Sequence, residues 1–250
     1  MSDGILLAGN IFVDRLNEQG ISTGQIFGPI NTTKLGIKAE ADSVVRTSNK
    51  KATKGQSLDD VKIGKPTVIT WEFDDQPAEM IALALMGDVA AINDAAGTLT
   101  DEAVTMPANQ SWVSVPGQNF TNDVVVKQAT ETKVAGVDYE FNFALGMIRA
   151  IKGGALEAGG SITVSGTYNA RTGKRINGAT VSQTRLRIFG EGTNLANGKQ
   201  VNFEIYDTSM MPTSELDLAS SEFVTAALEG TAKLVANKNE PYYIDELDAS

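Results

Sequence analysis

The chain has 250 residues, enough for one large all-β domain or two smaller ones, and its apolar (42%) and charged (21%) fractions are those of a folded protein. It has no cysteine and no histidine, which excludes disulfides, thiolate nucleophiles, Ser-His-Asp triads and zinc sites built on thiolate or imidazole. A formal net charge of −10 disfavours nucleic-acid binding through a general basic field, and the chemistry that survives is carboxylate pairs, Ser/Lys dyads or oxygen-ligated Ca²⁺ or Mg²⁺.

The opening, Met1-Ser2-Asp3-Gly4-Ile5-Leu6-Leu7-Ala8-Gly9, lacks the basic n-region of a signal peptide, and its apolar run is short. No stretch reaches the roughly 18 apolar residues that span a bilayer. The chain therefore reads as cytoplasmic at synthesis, and the sequons at Asn31, Asn109 and Asn119 carry no weight. Residues 5–14 predict a lead-in strand, with a turn at Asn17-Glu18-Gln19-Gly20. Strand-like segments follow at Gly36–Val45 and Val61–Phe73. Between them, residues 46–55 show no apolar periodicity and carry Arg46, Lys50, Lys51 and Lys54 without an acid. Such a stretch is too polar to pack inside and predicts the tip of a long hairpin, either a solvated loop or one that docks on a partner.

Within the second segment Ile69, Trp71 and Phe73 fall on one face and Val68, Thr70 and Glu72 on the other, the pattern of a half-buried strand. A helix over about 75–86 follows. Asp74 and Asp75 lie near its positive end, Pro77 in its first turn, a stripe of Met80, Ile81, Ala84 and Leu85 on one face, and Gly87 at the C′ position.

From Gly97 to about Thr180 the texture changes. Pro and Gly punctuate short strands at 112–115, 124–126, 139–143, 147–151 and 161–165, which predicts a β-rich insertion or a second small sandwich over 97–179. Ala95–Thr98 and Ala170–Arg175 read as linkers. Longer alternating strands return at 184–189, 199–206, 214–218 and 222–236. In Val201–Tyr206 the apolar residues alternate with Asn202 and Glu204, and in Ser214–Leu218 they alternate with Glu215 and Asp217, so one sheet face is expected to be buried and the other acidic. The tail, 239–248, is acidic with a Tyr242-Tyr243 pair and reads as an extended, surface-bound segment.

Motifs of known chemistry fall short. Gly190-Glu191-Gly192 and Gly192–Lys199 miss the spacing of dinucleotide and phosphate loops and read as hairpin turns. Asp59-Asp60 reads as a turn and Asp74-Asp75 as helix N-terminal charge, since neither has the ligand spacing of a calcium loop.

The order of elements resembles that of the major tail tube proteins of long-tailed bacteriophages with non-contractile tails, the siphophage type. The resemblance rests on the Val68–Phe73 strand running into the 75–86 helix and on the lysine-rich loop before it. It rests also on the paired segments Arg185–Gly192 and Lys199–Tyr206 and on the opening Gly4–Phe12. It covers roughly 1–96 and 180–250; a minimal tube subunit would not need the region between. What the resemblance implies is a β-sandwich flanked by one helix, with no cofactor and no catalysis. Copies would join into hexameric rings that stack into a tube around a tape-measure protein. A tail terminator and a distal tail protein would close the ends, and DNA would pass through during ejection without specific binding. The expected location is the virion tail, with assembly in the host cytoplasm. On this reading Arg46, Lys50, Lys51 and Lys54 are candidates for inter-ring contact and Glu72, Glu204, Glu215 and Asp217 for an acidic lumen wall. The competing readings are another tail or capsid component (terminator, baseplate ring or decoration protein) and an acidic β-sandwich enzyme acting on carbohydrate.

Overall fold

The computed structural model describes residues 4–248, so the opening Met1-Ser2-Asp3 lies outside it. The protein is all-β with one flanking helix. The chain divides into two compact units, residues 1–90 with 176–250, and residues 91–175.

The first unit is built on β1 (Leu7–Leu16), β2 (Ser22–Phe27), β3 (Thr32–Lys38), β4 (Ala41–Thr47), β5 (Ser57–Gly64), β6 (Val68–Phe73) and the helix α1 (Ala78–Ala84). After β7 (Asp88–Asp94) the chain enters the second unit. That unit comprises β8 (Gly97–Met106), β9 (Val113–Ser114), β10 (Val125–Gln128), β11 (Glu131–Thr132), β12 (Tyr139–Asn142), β13 (Met147–Ala150) and β14 (Gly160–Tyr168). The chain returns through β15 (Arg171–Asn177) to β16 (Thr184–Asn194), β17 (Gln200–Pro212), β18 (Ala226–Ala232) and β19 (Tyr242–Leu247).

One eight-stranded sheet runs β2-β1-β16-β17-β18-β6-β3, with β19 also pairing β17. The two strands at the ends of that path, β2 and β3, are joined by only Gly28–Asn31. Five Cα steps reach at most about 17 Å, whereas the strand spacings along that path would place the edges about 29 Å apart in a flat sheet. The sheet must therefore curl, and its two halves face each other across a core as sandwich layers do. Ile69, Trp71, Phe73, Leu186, Ile188, Ile205 and Leu228 fill that core, each at most 1% exposed. Trp71 Nε1–H donates to Thr32 Oγ1 at 3.0 Å, which satisfies the indole's only polar atom inside the core.

α1 closes the core with Met80, Ala82, Leu83 and Ala84 buried. It is shorter than the predicted 75–86 helix. Pro77 is its extended N-cap, so Asp74 and Asp75 stay outside, and Asp74 instead accepts from Asn31 Nδ2 at 2.6 Å. At the other end Gly87 N–H reaches Ala82 O (2.7 Å) and Met86 N–H reaches Leu83 O (3.2 Å), a Schellman closure. The left-handed C′ residue is thus Met86 (φ 49°), not Gly87. Gly87 is needed for space, because a Cβ there would sit 2.2 Å from Asn177 O. The buried face differs from the expected stripe in that Leu85 caps the helix and stays exposed.

Other segments also differ from expectation. Gly36–Val45 and Val61–Phe73 are each two strands, broken at Ala39-Glu40 and at Lys65-Pro66-Thr67. Ser214–Leu218 is not a strand, because no neighbouring strand pairs with it. Gly190 and Gly192 lie inside β16 rather than in a turn, and a Cβ on Gly190 would strike the Phe203 ring at 2.6 Å. Asp59 and Asp60 are part of β5, not a turn. The acidic tail forms β19, a strand of the main sheet.

The second unit has its own core, in which β8, β10 and β14 contribute Val104, Met106, Val126, Ile162 and Val164, and β12 and β13 contribute Tyr139, Ile148 and Ala150. The stretches expected as linkers are largely strand, since β8 begins at Gly97 and β15 spans Arg171–Asn177 and pairs with β7.

Candidate functional site

β4 and β5 form a two-stranded sheet of their own. They continue the β3–β6 pair outward. Lys38 opposes Val68, Lys65 N–H donates to Glu40 O at 2.8 Å, and Ala41 opposes Gly64, so pairing is nearly continuous across the junction. All residues of β4 and β5 are exposed, in contrast to the half-buried β6. At about 3.3 Å per residue, the arm from Ala41 to Ser48 extends about 25 Å.

The register gives the arm two unlike faces. Directly opposed residues share a face, and the pairs Asp42–Ile63, Val44–Val61 and Arg46–Asp59 lie on one of them. Val44, Val61 and Ile63 form an apolar patch there, each 56% exposed, between the Arg46–Asp59 pair (4.0 Å) and the Asp42–Lys65 pair (2.8 Å). The opposite face is mixed, with Val45 and Leu58 (46% and 52% exposed) beside Asp60, which accepts from the Ser43 hydroxyl and the Lys62 ammonium (2.9 Å). Those two contacts, the hydroxyl first, hold the Asp60 carboxyl below the ordinary aspartate range.

The tip is a compact turn. Ser48, 1% exposed, anchors it: its hydroxyl lies 2.7 Å from Thr53 Oγ1, its N–H donates to Gln56 O (2.8 Å), and its carbonyl accepts from Gly55 N–H (2.9 Å). Lys50, Lys51 and Lys54 point outward from this turn, and none lies within ion-pair distance of a described carboxylate. Arg46 is different from these lysines. It belongs to β4 and faces Asp59, so the expectation that all four bases lack an acid is corrected for Arg46.

The four candidate acids are divided between two settings. Glu72 and Glu204 lie on the non-core face of the main sheet, where their strand neighbours Trp71, Phe73, Phe203 and Ile205 point inward. Both are salt-bridged. Glu72 accepts from Lys34 Nζ at 2.8 Å, which raises the lysine's pKa by hydrogen bond and by charge. Glu204 accepts from Arg187 Nε at 2.6 Å. The Tyr243 phenol beside it is pushed up, by burial first and by its hydrogen bond to Glu204 second. With Lys34, Lys38, Arg185 and Arg187 among the acids, this face is mixed in sign rather than acidic. Glu215 and Asp217 lie apart from it, exposed in the loop between β17 and β18, where Asp217 accepts from Ala219 N–H at 2.9 Å. The alternation of Ser214–Leu218 is real but has no strand to pair with, so their placement on a strand face is corrected.

Sequence reasoning missed two features. One is the arm's apolar face, whose alternation was hidden inside two segments each expected to be a single strand. The other is the ion pair of Arg185 with Asp207, their side chains 14% and 6% exposed. It joins β16 to β17 where the register shifts between Leu186 and Ile188, and the Arg185 guanidinium also donates to Glu18 O. Its partners are 22 residues apart with no local signal between them.

Among the described residues no group of three or more Asp or Glu side chains converges to hold a metal ion, and no helix is long and apolar enough to cross a membrane.

The fold and this surface define an all-β protein with one helix whose most prominent exposed feature is a hairpin arm. The chain belongs to the family described as "Protein of unknown function UCP028589", whose match spans residues 5–242. No curated protein matches the sequence.

Proposed function

We propose that the protein is a self-assembling structural subunit of a virion, the major tail tube protein of a siphophage-type bacteriophage. Its copies join into hexameric rings, and the rings stack into the conduit for DNA ejection. The observation that carries this reading is the β4–β5 arm, a two-stranded extension of the main sheet in which every residue is exposed. An isolated two-stranded hairpin is marginally stable in water, and one with an exposed apolar face needs a partner. An arm on every copy that meets a different surface on the next copy is a heterologous contact, and such contacts generate rings and filaments.

Two further features support the reading. The sheet ends in β2 and β3, each paired on one side only, which are open edges available for strand pairing between copies. The non-core face carrying Glu72 and Glu204 is polar and salt-bridged, suited to a channel wall past which a polyanion slides without sticking. In this reading the tape-measure protein fills the tube before DNA does, and a tail terminator and a distal tail protein cap its ends. Assembly takes place in the host cytoplasm. Negative-stain microscopy of the purified protein tests the proposal. Rings or tubes with a central hole are expected, and a species that stays monomeric at high concentration overturns it.

A further inference from the structure

The curled sheet leaves an apolar cavity of about 400 Å³ open to solvent. Ile5, Leu7 and Ile11 line it from the first strand and the residues before it, Leu35 and Ile37 from β3, and Val201, Phe203 and Ile244 from β17 and β19. At its mouth Ile5 is 82% exposed, Leu7 40% and Ile244 59%. Thr32, Thr33, Asn194 and two charged side chains complete the lining, and both charges are paired, Lys34 with Glu72 and Glu246 with Lys199.

We infer that this cavity is the receptor for the arm of a second copy of the chain, taking the Val44–Val61–Ile63 face of the β4–β5 hairpin. The inference rests on the assembly reading above and names the surface that the arm meets. Three observations select this occupant. The arm's apolar face, Val44, Val61 and Ile63, matches the apolar part of the lining and is bounded at each end by an ion pair that can stay wet.

Charge agrees with the same docking. The tip brings Lys50, Lys51 and Lys54 with no acid between residues 48 and 56, and the cavity's rim strand and its flanks carry four acids, Glu240, Asp245, Glu246 and Asp248, against two bases beside them, Lys199 and Lys238. Opposite fields on the two parts steer the encounter and set its polarity, while apolar burial holds it. The arm also cannot fill its own cavity. β3 is one wall of that cavity, and the arm prolongs the β3–β6 ribbon with its pairing maintained across Glu40 and Lys65. Each arm must therefore seat in another copy, and the contact repeats from copy to copy without closing on itself.

The natural chain has no cysteine, so an engineered pair reads the contact without background. Val61→Cys and Ile244→Cys are made in separate chains, both at exposed positions, and matching melting curves confirm that each folds. The two are mixed, allowed to assemble and oxidised. The expected result is a disulfide-linked dimer in the assembled fraction, with little when Val61→Cys is mixed with Leu145→Cys. Val61→Asp, which brings a charge to the apolar cavity, is expected to raise the concentration needed for assembly by roughly tenfold or more, equivalent to about 1.4 kcal/mol. Rings or tubes that form without the Val61–Ile244 link, or that cross-link equally with Leu145→Cys, overturn this inference and leave the assembly reading standing. A mixture that never assembles overturns both.

Discussion

The β3–β6 pair and the β4–β5 pair are two lengths of one antiparallel ribbon, and they have opposite fates. In the inner length Ile69, Trp71 and Phe73 are fully buried, because β18 pairs with β6 and α1 and the curled far half of the sheet cover their face. In the outer length Val44, Val61 and Ile63 alternate just as regularly and stay more than half exposed, because among the described residues no third strand pairs with β4 or β5. Alternation decides which face of a strand is apolar; only neighbours decide whether that face is buried. The stability of the chain lies in the covered length, and on the assembly proposed above the bare length is the one that meets a partner.

The largest effect that tests this contrast is Trp71→Ala. Loss of the buried indole, whose ring lies tilted 4.5 Å from that of Phe73, is expected to cost about 3–5 kcal/mol in denaturant unfolding. Val61→Ala on the arm should stay within about 0.5 kcal/mol of the parent in the same assay. A comparable loss from Val61→Ala would show the arm to be packed in the monomer and would break the comparison.

Deleting Asn49 to Lys54 should leave the melting temperature and the circular dichroism of the monomer unchanged while tubes no longer form. Tails of normal length from that deletion would remove the arm's tip from stacking.

A smaller effect is expected from reversing Glu72 and Glu204 to lysine, which sets like charges beside Lys34 and Arg187. Assembly should persist while DNA ejection slows at low ionic strength and recovers as salt screens the added charge. A reconstruction with both side chains on the outside of the tube would sink the channel assignment.

The smallest effect is that of acid. Asp60 on the arm is held low by Ser43 and Lys62, and Asp138 in the second unit is held low by the Val134 and Ala155 N–H groups. A depressed folded-state pKa stabilises above the ordinary aspartate value, about 3.9, and that contribution is lost as pH falls through the depressed value. Amide protection in β4 and β5, taken relative to the intrinsic exchange rate at each pH, should therefore fall in acid below pH about 4, while β6 keeps its protection. Equal loss in both lengths would mean that the contacts of Asp60 with Ser43 and Lys62 contribute nothing to the arm's order.

Local physics alone determined a good deal of this molecule. The alternation through Val68–Phe73, the short strands of the middle region, the Asn17–Gly20 turn and the polar tip at residues 48–56 follow from the periodicity and turn chemistry of adjacent residues. The ends of the helix were only half legible. Pro77 marked the start, but whether it is the cap or the first helical residue depends on how the chain leaves Phe73, and Gly87 is required by its neighbour Asn177 rather than by its own φ. Tertiary structure decided what pairing decides. It left Ser214–Leu218 without a strand to join and drew the acidic tail into the sheet as β19. It also set Lys34 against Glu72, Arg187 against Glu204 and Arg185 against Asp207 across strands that no local pattern connects. Above all it decided that one apolar ribbon face is covered and its continuation is not. Each residue's own chemistry fixes what it would bury, but burial is a property of whatever stands opposite.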